Sequence, residues 1–295
     1  MSEVIDTPKA GWRMKVAIFA LCVSIFTALW MTVAALGTKF GWWHYQVGLL
    51  QMTAGIGGPL AFFGFAFGII AQIIALIKFP RKQAFIVALA ATLISLAMAG
   101  RLVAFRSQAM AVPPIHDIQT DWSDPIAYSD ALLQVREADG AENDASQLAP
   151  RIDDDRIPEP IFGRLVSEVQ EEAELTEGSK GTVYPTLEPL YFSQSPDEIA
   201  TITERILRKR GWKIVTPAPV DGNAVSQVQL EATETSGWFG FKDDVAVRIR
   251  PSNGATRVDI RSTSRVGLSD LGANSARVYS LMVELEDRGD GRRAP

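Results

Sequence analysis

Three stretches of the chain carry almost no polar residues, and the last hundred alternate. Val16–Gly37 is uncharged throughout; as a helix it would be about 33 Å long, enough to cross a hydrocarbon core of about 30 Å. The second stretch, roughly Ala54–Ile77, is also uncharged and ends at Lys78-Phe79-Pro80-Arg81-Lys82. The third, Ala84–Phe105, carries only Arg101, close enough to its end for the side chain to snorkel. Helices without a polar face are expected to span a membrane. The first stretch is too long for the usual cleaved signal peptide, and no compelling A-x-A site follows it.

From Tyr184 the periodicities are those of a water-facing domain. Leu187–Phe192 predicts a strand. Ser195-Pro196-Asp197-Glu198 then supplies a cap, a first-turn proline and first-turn acids for a helix with Ile199, Ile202, Ile206 and Leu207 on its inner face. Arg205, Arg208, Lys209 and Arg210 suit the last turn, and Gly211 ends it. Four strands follow, at Trp212–Thr216, Val225–Thr235, Asp244–Arg250 and Thr256–Ser264. In the last two, Val245, Val247, Ile249, Val258 and Ile260 alternate with charged residues, the pattern of an antiparallel sheet with one wet face. A last helix is expected from about Ser269-Asp270, with Leu271, Val278, Leu281, Met282 and Leu285 inward. The predicted order is β-α-β-β-β-β-α, an α+β domain with its helices on one face of the sheet.

The organisation read from these patterns is a tail at 1–15, a three-helix transmembrane region at 16–106, a polar acidic linker at 107–180, the α+β domain at 181–287, and a disordered tail at 288–295. The linker is expected to be loosely structured, with short helices at Ser129–Glu137 and Phe162–Glu174. Its Asp153-Asp154-Asp155 run lacks the alternating oxygen ligands and fixed glycine of a calcium loop and reads as a solvated acidic segment.

Charge sharpens the picture. Residues 1–112 hold nine Lys/Arg against two acids, giving +7, and the remainder holds twenty against thirty-two, giving −12. Lys9, Arg13 and Lys15 precede the first span, and Lys78, Arg81 and Lys82 lie between the second and third, while the first loop has only Lys39. The positive-inside rule then expects a multi-pass protein of the cell (inner) membrane, with a cytoplasmic N-terminus and a periplasmic or otherwise extracytoplasmic C-terminal domain. Trp42, Trp43, His44 and Tyr45 in the first loop read as interface anchors, and the Gly64-x-x-x-Gly68 step lets helices approach closely, within the bundle or in a dimer. The lone Cys22 excludes an intramolecular disulfide and a cysteine zinc site. Nothing has metal-ligand spacing, a phosphate-cradling glycine loop or a dinucleotide fingerprint, so neither cofactor nor metal is expected. A domain at −12 does not suit nucleic acid.

Several phrases resemble a known family. They are Pro114-Ile115-His116-Asp117-Ile118-x-Thr120-Asp121, Tyr184-Pro185-x-Leu187-x-Pro189-Leu190, Asp243-Asp244-Val245, and the long run from Arg261-Ser262-x-Ser264-Arg265-Val266-Gly267 through Ser269-Asp270-Leu271-Gly272 to Asn274 and Arg277. Together they resemble the domain of unknown function 1499 family, in its membrane-anchored bacterial members, over residues 113–286 with interruptions. The resemblance implies no activity, because the family is uncharacterised.

The candidate ligand site is built on Arg261, Ser264, Arg265, Ser269, Asn274 and Arg277. Guanidinium forks beside the exposed amides of a helix start would suit a phosphate, a carboxylate or a lipid headgroup. The alternative is that Asp243, Asp244 and Asp270 pair with those arginines and stiffen the fold. Trp238, Phe239 and Phe241, between two strands, are expected to pack under the sheet edge, meet the bilayer or hold an apolar partner. No catalytic residue is assigned. The expected function is a non-enzymatic envelope module that binds or interacts, touching lipid or an anionic ligand. Two alternatives stay open: an envelope hydrolase using His116 with a serine such as Ser262 or Ser264, and a structural partner of another membrane protein.

Overall fold

The computed structural model describes residues 11–77, 79, 81–157, 159–177, 183–218 and 227–293. Lys9 and the rest of the first ten residues lie outside them, as do Lys78 and Pro80 of the second loop, the linker's last residues 178–180, the expected strand start at Val225, and residues 294–295. The chain forms two compact units: residues 1–107 with 237–240, and residues 108–236 with 241–295.

The first unit is helical. Helix α1 (Trp12–Lys39) is followed by a π-helical segment, Gln46–Gly57, which runs into α2 (Gly58–Leu76), and α3 spans Lys82–Ala111. Three helices are thus long and apolar enough to cross a membrane. The second begins eight residues before the expected Ala54, because the π turns carry the helix back to Gln46. In that segment Thr53 Oγ1 donates to the Gly48 carbonyl at 2.7 Å, and Trp30 Nε1 donates to the Met52 carbonyl at 2.8 Å. The glycine step is used inside the bundle: a Cβ on Gly64 would lie 2.5 Å from Ser95 Oγ, and one on Gly68 would collide with Thr92 Oγ1. Ser24 and Ser95 share a hydroxyl contact at 2.8 Å, and Gln72 Nε2 donates to Thr92 Oγ1 at 2.6 Å. Small residues bring the backbones close, and buried hydroxyls hydrogen-bond across them.

The second unit is an antiparallel sheet with helices. Its strands are β1 (Asp117–Gln119), β2 (Leu190–Phe192), β3 (Lys213–Thr216), β4 (Val228–Thr235), β5 (Lys242–Ser252), β6 (Ala255–Ser264) and β7 (Arg292–Arg293); its helices are α4 (Asp130–Ala138), α5 (Val166–Glu177), α6 (Pro196–Lys209) and α7 (Ala273–Arg288). The path is β3-β4-β5-β6-β2-β7, and β1 also pairs with β6. From β2 to α7 the order is the expected β-α-β-β-β-β-α. Helix α6 starts with a capping box, Ser195 with Glu198, and stops at Gly211 in the left-handed region. Helix α7 starts three residues later than expected, because Leu271 and Gly272 both have positive φ and break the helix there. Val228, Leu230, Ala232, Val245, Val247, Ile249, Val258 and Ile260 form a dry face against Ile199, Ile206 and Leu207 of α6 and Val278, Leu281, Met282 and Leu285 of α7.

The structure corrects three expectations. Residues 107–180 are not a loose linker: as far as they are described they hold β1, α4 and α5, and they bury Ile115, Ile118, Ile126, Leu132, Ile152, Val166 and Val169. Nor is the charged sheet face wet. Residues 119–147 lie over it, with Ile126, Tyr128, Leu132 and Ala145 packed on Ala246. The ends differ too, since Arg292 and Arg293 pair with Tyr191 and Leu190, a short strand in the expected tail.

Candidate functional site

The sheet register sorts the candidate residues. Asp117 of β1 is opposite Thr263 of β6, Thr263 opposite Asp244 of β5, and Asp244 opposite Thr233 of β4. The next row on the same face is Gln119, Arg261, Ala246 and Glu231. Facing residues across antiparallel strands share a side of the sheet. Arg261 therefore stands on the polar face, and the row beside it supplies its counter-ion.

Arg261 is fully buried. Its Nε and Nη2 grip the two Asp117 oxygens at 3.0 and 2.5 Å, Nη1 donates to the Ile126 carbonyl at 2.6 Å, and Nη2 to the Gln147 carbonyl at 3.0 Å. The Tyr128 ring lies 4.8 Å from the guanidinium carbon, within cation–π range. Arg265, just past β6, closes a second cluster. Its Nε and Nη2 donate to Asp244 at 2.8 and 2.7 Å, Nη2 also reaches Thr233 Oγ1 at 3.0 Å, and Nη1 pairs with Asp139. Asp244 also accepts from Arg136 Nη1 at 2.6 Å and from Thr233 Oγ1 at 2.6 Å. Further along the face, Asp259 accepts from Arg248, Arg250 and Arg257. Geometry this complete offsets the large desolvation cost of buried ions, and taking away one partner leaves that cost uncovered.

Arg277 is on the other side of the sheet. It pairs with Glu234, and with Asp243 at 2.5 Å, and donates from Nη1 to Ser262 Oγ at 3.1 Å. Asn274 Nδ2 donates to Ser264 Oγ at 3.0 Å and to the His116 carbonyl at 2.9 Å, and Ser262 Oγ donates to Asn274 Oδ1 at 2.7 Å. Ser262 and Ser264 share a side because they are two residues apart on β6, while Thr263 points away to Asp117. The sheet thus separates Arg261 and Arg265 from Ser264, Asn274 and Arg277. Ser269 sits in the loop before α7, where its hydroxyl donates to the Pro113 carbonyl at 3.4 Å and accepts from Leu271 N at 3.1 Å. Among the described residues Asp270 forms no ion pair with an arginine; its carboxylate accepts from Gly272 N at 2.8 Å and Asn274 N at 2.7 Å, filling the helix start that an anion would have used. Burial pushes its pKa up to about 6, against those two amide hydrogen bonds.

At the β4–β5 hairpin, Trp238 is 65% exposed, and Phe239 and Phe241 are half-buried. The hairpin is closed by Ser236 N donating to the Phe241 carbonyl at 2.8 Å.

An open concavity lies elsewhere. A cleft of about 580 Å³ is lined by Pro114, His116, Glu142, Asp144, Asp153, Leu268 and neighbours. His116 Nδ1 lies 3.5 Å from the Leu268 carbonyl. Burial, outweighing the nearby Asp117 carboxylate, holds the imidazole below its ordinary 6.5, so the ring is neutral at pH 7. Asp144 is held by the Ser146 amide and hydroxyl, and Asp154 by Arg156. Asp117 and Asp139 as arginine partners, and Arg136 as a second guanidinium on Asp244, were not among the residues singled out in the sequence; the visible signal was Asp117, which stands in the first family-like phrase.

A sheet with one apolar and one ionic face, both covered, in a chain that also has three helices long and apolar enough to cross a membrane, defines a mixed α+β protein whose helices suggest membrane association. The chain belongs to the DUF1499 family of proteins of unknown function, whose sequence pattern matches residues 117–285, more than half of its length. The match begins at β1 and so takes in the covering segment together with the sheet. No curated protein matches the chain, and no solved structure matches it.

Proposed function

We propose that the protein is a membrane-anchored module of the cell envelope, with its N-terminus in the cytoplasm and its α+β domain outside, that binds a ligand in the cleft beside His116. The observation that carries this reading is the contrast between the cleft, which is open, and the arginines, whose charge is already matched internally. An anion at Arg261 or Arg265 would have to displace Asp117 or Asp244 from a buried bidentate pair. The cleft is rich in carboxylates, so the anionic ligand or lipid headgroup expected for the arginines gives way there to a ligand bearing an amine or another cationic group. The hydrolase reading draws less support: Ser262 and Ser264 hydroxyls are tied to Asn274 and Arg277, and the imidazole faces a backbone carbonyl. The glycine step behind the structural-partner reading is occupied by α3.

Two experiments test the proposal. A reporter active only in the cytoplasm, fused after Pro295, is expected to stay silent; activity there overturns the orientation, which rests on the Lys/Arg bias of the loops. Native mass spectrometry of the detergent-extracted chain is expected to find an adduct that Asp153→Lys with Asp155→Lys removes. Both positions are exposed, so the fold should tolerate the change. An adduct that survives the double variant, or none in either protein, rejects the cleft as the ligand site.

A further inference from the structure

The register of the sheet places two features at one end of the domain. The chain leaves α3 at Ala111 and enters β1 at Asp117, so at most about 20 Å of extended backbone separates them. Strand β1 runs in beside the C-terminal end of β6, where Ser264 N donates to the His116 carbonyl at 2.9 Å. Because β5 is antiparallel to β6, the β4–β5 hairpin projects from that same end. Trp238 stands five residues beyond Thr233 along β4, a reach of up to about 17 Å past the row that contains Asp117, and about 10 Å separates β1 from β5 across the sheet.

Within the second unit, which begins at Gln108, that residue's Nε2 donates to the Leu271 carbonyl at 2.8 Å, and Asp270 N donates to the Ile115 carbonyl at 3.1 Å. Gln108 lies about 5 Å beyond Phe105, the last residue of the apolar stretch, which puts it in the headgroup layer of a bilayer spanned by α3.

We infer that the hairpin tip, led by Trp238, docks into the headgroup layer of the bilayer that the helices span. Its occupant is zwitterionic lipid at the interface: the tip offers an exposed indole at the end of the domain where the chain enters it from α3, and an amphipathic ring of this kind is favoured at headgroup depth. The turn at the far end of the sheet, between β5 and β6, carries Ser252, Asn253 and Gly254 and has no aromatic residue. The inference rests on the membrane-spanning reading of the helices; it needs neither the cleft nor a choice of which side the domain occupies.

The lone cysteine makes the test direct. The full chain is reconstituted in phosphatidylcholine vesicles and spin-labelled at native Cys22, or, in a Cys22→Ser background, at Trp238→Cys or Ser252→Cys. Accessibility to oxygen is compared with accessibility to a water-soluble nickel chelate. The expected result is a high oxygen-to-nickel ratio at Cys22, a ratio at position 238 several-fold above that at 252, and a fully aqueous label at 252. As a check that keeps the indole in place, the wild-type minus Trp238→Phe fluorescence difference is expected to be quenched by brominated phosphatidylcholine. A lipid-exposed Cys22 with equally aqueous labels at 238 and 252 overturns the docking alone. An aqueous Cys22 overturns the membrane-spanning reading and the docking together.

Discussion

The two faces of the β4–β5–β6 sheet come from the same alternation and are built on opposite principles. On one, Leu230, Val247 and Ile260 meet α6 and α7 in a dry, non-directional contact where size and shape are the main demand. On the other, Asp117, Asp244, Asp259, Arg261 and Arg265 are as thoroughly buried, and each needs named partners at hydrogen-bond distance. An apolar face tolerates repacking by apolar residues of similar volume; an ionic face tolerates almost nothing, since each charge is stable only while its partner stays. The covering segment at 119–147 is therefore held by electrostatic matching: Ser129 and Gln229 converge on Glu231, Tyr128 OH reaches Thr263 Oγ1 at 3.0 Å, and Arg136 reaches Asp244.

The largest expected effect falls on the ionic face. Asp244→Ala strands Arg136 and Arg265 without their carboxylate and is expected to cost about 3–5 kcal/mol, read as a lower denaturant midpoint for the full chain in detergent. With Asp244→Leu, Arg136→Met and Arg265→Met combined, removing all three charges is expected to cost less than removing one. If the triple variant is the less stable of the two, the ionic face is not governed by desolvation. On the dry face, Leu281→Ala is expected to cost roughly 2–5 kcal/mol, set by how well α7 can collapse onto the space left behind.

Glu174, on α5, gives a smaller effect that depends on pH. Burial pushes its pKa up to about 7, against hydrogen bonds from Gln170 Nε2 and Leu187 N. A raised folded-state value means that its contribution is fully present below the unfolded value near 4.5 and is lost as pH rises through about 7. Glu174→Gln is therefore expected to flatten the fall of the unfolding midpoint between pH 5 and pH 8; an unchanged slope would place the proton elsewhere. The smallest effect is expected at the surface. Arg156→Ala removes an exposed pair with Asp154 and should shift the midpoint by no more than about 0.5 kcal/mol, within the range of ordinary surface changes.

Local patterns in the chain were enough for the three apolar spans, the α6 caps, the alternating strands and the order from β2 to α7. Those features follow from periods of 3.6 and 2 residues and from end groups a few positions apart, all readable in a short window. The family was legible too, from contiguous phrases such as the run from Arg261 to Arg277. Which carboxylate meets which guanidinium, and on which face, was set by the three-dimensional fold. Asp117 and Arg261 are separated by 144 positions, Asp244 and Arg136 by 108. It also put Arg277 across the sheet from Arg265 and turned an acidic stretch with little periodicity into the cover of a charged surface. Polarity says that such a segment can stay in water; whether it does depends on whether a matching array of opposite charges is folded against it, and that array exists only once β1, β5 and β6 have paired.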